Sequence, residues 1–180
     1  MLWFDEALRK IKKHRPCLNT LFDTMAKLPD KLLPESWHTY FAMQANNAAW
    51  DLAQTTADAI SRLDLLDAAH ASAWHWRQVG TELNHMRSGM LLAMVHSRMG
   101  MGASAWAYAQ PMHAFFVGKA DTPDWELAFA HVIYAMAAHA NGQDQVFRDA
   151  FPAAVQSLNA IQDPEDRAVV QKTFGFMPKP

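Results

Sequence analysis

The chain has 180 residues and one cysteine, Cys17, so no disulfide forms within it. A fold of this kind rests on packing, and a lone thiol points to a reducing, cytoplasmic setting. Glycine is scarce, at seven residues. A large excess of charge of one sign is missing too: 16 basic residues stand against 18 acidic ones, a net charge of −2. That balance excludes the basic face of a general nucleic-acid binder. No apolar run reaches the ~18 residues that a membrane span requires. The opening residues Met1 to Glu6 place Asp5 and Glu6 where a signal peptide carries basic residues. No alternating run of β-branched residues reads as a strand. No glycine-rich phosphate loop is present, and Ser72, Ser88, Ser97 and Ser104 fall on helices, away from the strand-to-helix turn of a serine hydrolase.

Apolar residues make up 51% of the chain, with alanine, leucine and methionine prominent, a composition that favours helix. The spacing predicts about nine helices, starting near residues 3–14 and 17–28 and continuing after a proline-bounded connector that ends at Pro34. The third, from Glu35 to Ala53, carries Trp37, Phe41, Ala45, Ala48 and Leu52 at three- and four-residue steps. The fourth ends at Gly80 with a stripe of Leu66, Ala69, Ala73 and Trp76. The fifth follows a cap at Thr81 and turns Leu83, Met86, Met90 and Met94 inward. Thr122-Pro123 and Asp163-Pro164 each read as a cap followed by proline at the first helical position. The stripe of the seventh helix is Trp125, Phe129, Val132, Met136 and Ala140. Basic residues Arg9, Lys10, Lys12, Lys13 and Arg15 crowd the end of the first helix, where they complement its dipole, with Asp5 and Glu6 at its start.

Two helical hairpins turn on glycine, at Gly100 and Gly142, 42 residues apart, and each glycine has an alanine seven residues before it, Ala93 and Ala135. Glycine just past a helix end supplies the left-handed backbone that stops the helix. The expected architecture is therefore all-α: an α–α superhelix of stacked hairpins over 35–174, preceded by a helical pair and connector over 1–34 and followed by a frayed tail over 175–180.

The runs Asn46–Leu52 and Ala68–Thr81, with Asn84, Arg87, the Arg98-Met99-Gly100 ending, Tyr108-Ala109 and Trp125–Ala130, resemble a family of small bacterial tetratricopeptide-like (TPR-like) proteins of unassigned function. The resemblance spans a little over half the chain and implies the same superhelix. It implies no catalytic residue.

Nine histidines invite a metal or acid–base reading, but no two stand three or four apart, so no single helical face offers two imidazoles to one ion. No metal or other cofactor is expected. The polar and aromatic residues around Gly80 are a better candidate: His70, Trp74, His75, Arg77, Gln78, Asn84 and Arg87 surround one turn and mostly avoid the apolar stripe. They suit a groove that reads a peptide backbone or carboxylate. The sequence thus points to a non-catalytic module for a protein or peptide partner. The alternatives are a metal- or small-molecule-dependent enzyme around His70, His75 and His85, and a structural homo-oligomer.

Overall fold

The computed structural model describes residues 33–55 and 59–179. Among them the chain is all-α: α1 Pro34–Thr55, α2 Ala59–Val79, α3 Glu82–Arg98, α4 Gly102–Val117, α5 Asp124–Ala140, α6 Asp144–Ala160 and α7 Pro164–Phe174, with no strand. These seven lie within a few residues of the positions that periodicity predicts. The two helices expected before Pro34, with their basic cluster and Cys17, lie outside the described residues. No helix among the described residues is long and apolar enough to cross a membrane.

The helix ends follow from local chemistry. Gly100 and Gly142 adopt φ of 71° and 69°. At the first, the Gly100 amide donates to the Ser97 carbonyl and the Met101 amide to His96. At the second, Gly142 donates to His139 and Gln143 to Ala138 in the same pattern. This is the glycine-closed stop that satisfies the last free carbonyls of a helix. Asp163 caps α7, its carboxylate accepting from the Glu165 and Asp166 amides, with Pro164 in the first turn. Thr122 does not cap α5 as its sequence suggests: its hydroxyl donates to the Phe116 carbonyl, and Asp124 accepts from the Trp125 and Gln162 amides instead. Pro123 stands one position outside the helix, so the hydroxyl is too far back to reach the free amides.

Each helix packs on the next from α1 to α6; α1 also touches α3, α3 touches α5, and α7 lies against α5 and α6. Burial repeats along this order. Asn46, Ser88 and Ala130 are buried at equivalent places on α1, α3 and α5, as are Ala49, Leu91 and Ile133, and Ala53, Val95 and Ala137. The intervening helices carry a matching set: Leu65, Ala69, Ser72 and Trp76 on α2; Ala105, Ala109, Met112 and Phe116 on α4; Phe147, Ala154 and Leu158 on α6. Three successive hairpins therefore use one packing register, and the glycine-ended pair that the sequence displays is its last two members.

Two of the expected stripes need correction. On α1 the buried residues are Ala42, Asn46, Ala49 and Ala53, one step from the predicted stripe, and Phe41 is 44% exposed. Both sets recur at helical spacing, and the smaller one faces inward because α2 lies close: the Ser72 hydroxyl bonds the Ala42 carbonyl at 3.0 Å. On α3, every residue from Met90 to His96 is buried, as are most of α5, so these helices are enclosed rather than one-sided. The chain end is also held: Met177 is buried and Phe176 stacks under the Arg98 guanidinium at 3.8 Å.

Alanine in place of Gly100 or Gly142 meets open space, so its cost is confined to the left-handed backbone. Each single change is expected to lower stability by about 1–2 kcal/mol in urea denaturation, and asparagine at the same position by less.

Candidate functional site: the outer face of α1 and α2

The turn between α2 and α3 is tight because Gly80 fits against its own helix. A Cβ there would stand 2.6 Å from the Trp76 carbonyl. The structure divides the seven residues predicted around this turn into two groups. His70, Trp74, Arg77 and Gln78 are exposed on the outer face of α2, and His75 is half-buried beside them. Trp74, 49% exposed, sets its ring 5.5 Å from His38 and 5.1 Å from His75. The Gln78 amide donates to the Trp74 carbonyl at 3.4 Å.

Asn84 and Arg87 are turned to other tasks. The Asn84 carbonyl oxygen accepts from the Thr81 amide at 3.0 Å and from its hydroxyl at 2.8 Å, closing the start of α3. Arg87 reaches α5 and grips Glu126 with two bonds, Nε to Oε1 at 2.6 Å and Nη2 to Oε2 at 3.1 Å. The Glu126 side chain is 3% exposed and that of Arg87 13%, so this bidentate pair is an internal strut.

The sequence missed the residues that α1 contributes. Trp37, Tyr40 and Phe41 form an edge-on and tilted cluster with centroids 5.4–5.8 Å apart, and Phe41 continues to His75 at 5.5 Å. Trp50, further along α1, packs on Phe129 of α5 at 5.5 Å and so locks non-adjacent helices.

Six histidines meet in three pairs, each between helices: His38 with His75 at 2.9 Å, His70 with His96 at 3.3 Å, and His113 with His131 at 3.1 Å. The rule of three- and four-residue spacing, which looks along one helix, is blind to such pairs. His70, His75 and His85 do not converge: His85 donates to the Trp76 carbonyl at 3.0 Å, and the other two bond different partners. Among the described residues no three His, Cys, Asp or Glu side chains gather around one point that an ion could occupy.

Burial disfavours the charged form of four of these imidazoles. It lowers His70, with His96 and Arg77 adding to the effect and Asp67 opposing it, and lowers His75, helped by His38. His113, stacked on Tyr134 at 4.1 Å, is lowered to about 4 by burial and by His131, itself lowered by burial. In each pair one ring nitrogen donates and the other accepts, an arrangement that a second proton destroys.

The two groups of residues should separate on substitution. Arg87→Ala strands the buried Glu126 carboxylate and is expected to cost about 3 kcal/mol. Trp74→Ala removes an exposed ring and is expected to shift stability by roughly 0.5 kcal/mol. Urea melts of both variants check this. For His113 the folded state binds a proton less readily than the unfolded chain, whose imidazole titrates near its usual 6.5. Its stabilisation is complete above that pH and fades as pH falls toward about 4. Stability measured by urea denaturation should therefore drop by on the order of 2 kcal/mol across this window, and His113→Gln should flatten the curve. No protein-family profile, curated protein or solved structure matches the chain, and the functional reading rests on this geometry.

Proposed function

We propose that the chain is a non-catalytic protein- or peptide-interaction module, an α–α superhelix of stacked TPR-like hairpins working in the cytoplasm. The repeated burial register on α1, α3 and α5 supports the array, since stacked repeats of this kind share one core that each hairpin alone cannot close. The observation that carries the binding role is the exposed aromatic surface on the first hairpin. Phe41 and Trp74 are 44% and 49% exposed, and Arg77 and Gln78 stand within a turn of Trp74 on α2. Large rings held by neighbouring histidines give contact area at small cost in side-chain freedom, and a guanidinium beside them suits a carboxylate. The partner that fits is a peptide or helix with an apolar side chain next to an acidic one.

A photo-crosslinking residue in place of Trp74 tests this. It is expected to join the chain to a different protein, and Phe41→Ala with Arg77→Ala is expected to reduce that adduct several-fold at unchanged melting temperature. Adducts made only of two copies of this chain would favour a homo-oligomer instead. Adducts indifferent to Phe41 and Arg77 would overturn the proposed surface.

A further inference from the structure

We propose that His70 and His96 form a two-nitrogen site for a borderline divalent transition metal of the zinc class, with its remaining positions open to water or an external ligand. The site borders the aromatic surface through His70, but its argument does not rest on that surface binding a partner. Their Nε2 atoms face each other at 3.3 Å across the α2–α3 contact. Two nitrogens bound to one tetrahedral zinc at 2.0–2.1 Å stand about 3.3–3.4 Å apart, so the separation of the two Nε2 atoms matches one edge of such a site. The His38 and His75 nitrogens, at 2.9 Å, are closer than that edge.

The tautomer also fits. His96 Nδ1 lies 2.7 Å from the Leu92 carbonyl, which accepts only, so the ring carries its proton there and Nε2 holds a lone pair. A backbone carbonyl on the far nitrogen is one of the outer contacts that orient metal-binding histidines. Among the described residues, none of the four histidines in the other two pairs shows such a bond. His96 is 3% exposed and its ring faces Tyr108 at 5.5 Å, which fixes its direction. His70 is exposed, which gives an ion a way in. Metal binding requires the His70 proton to sit on Nδ1, freeing Nε2; no oxidant or further reactant is involved. Asp67, a turn before His70, adds negative charge, and Arg77 opposes it.

Titration of the untagged chain with zinc alone, followed by calorimetry at neutral pH, and with cobalt alone, followed by its visible absorption, tests the site. One equivalent is expected to bind, and His70→Ala is expected to weaken it by at least about tenfold, as loss of a ligand should exceed loss of an outer contact. His38→Ala should leave it unchanged. His96→Gln should match His70→Ala; because His96 is buried, His70→Ala decides the matter should the former not fold. Wild-type-like affinity in His70→Ala, or no binding by the wild-type chain at about a tenfold excess of zinc, would overturn the proposal.

Discussion

Helix α5 is enclosed on almost its entire circumference, and that enclosure sets the terms for everything around it. Ala128, Ala130, Ala135, Ala137 and Ala138 have no exposed surface, and between them Phe129, Val132, Ile133 and Met136 fill the wider gaps. A helix that touches α3, α4, α6 and α7 together has room on its closest sides only for methyl groups. The same constraint reaches α4, whose first residue is glycine because a Cβ on Gly102 would overlap the Ala140 carbonyl. It also explains why α3 and α5 end on left-handed glycine: the chain has to reverse within three residues to lay the next helix against the first.

Such alanine-rich contacts are nearly featureless along a helix axis, and polar groups supply the register. Arg87 on α3 finds Glu126 on α5, Ser72 on α2 finds the Ala42 carbonyl on α1, and Thr122 finds Phe116 across the α4–α5 connection. A slip of one turn would strand a buried carboxylate or hydroxyl, which is costly where water cannot reach it. The histidine pairs act in the same way, joining α1 to α2, α2 to α3, and α4 to α5. Because imidazole both donates and accepts while neutral, two copies satisfy each other without a net charge.

The surface follows from the core. With the small residues of α1 turned inward, Trp37, Tyr40 and Phe41 are left toward the surface, where they gather with Trp74 and the His38–His75 pair. The proposed binding role and the face expected around Gly80 therefore meet only in part. His70, Trp74, His75, Arg77 and Gln78 share an outer surface, whereas Asn84 and Arg87 serve the cap and the strut. In sequence all seven are simply polar or aromatic residues near one glycine.

Local chemistry made much of the fold legible: the all-α class, seven helix positions, the stops at Gly100 and Gly142 and the cap at Asp163 are each written within a few residues of the place where they act. These are properties of φ, of free amides and of 3.6-residue periodicity, which a short window contains. Which of two equally periodic faces of α1 turns inward is not such a property. It depends on how close α2 comes, and hence on Ala42 and Ser72, 30 residues apart. The pairing of His70 with His96 and of Arg87 with Glu126 depends likewise on helices that meet only after the chain has folded back. Spacing along one helix determines what that helix presents, and only the packing of several determines which of those groups meet.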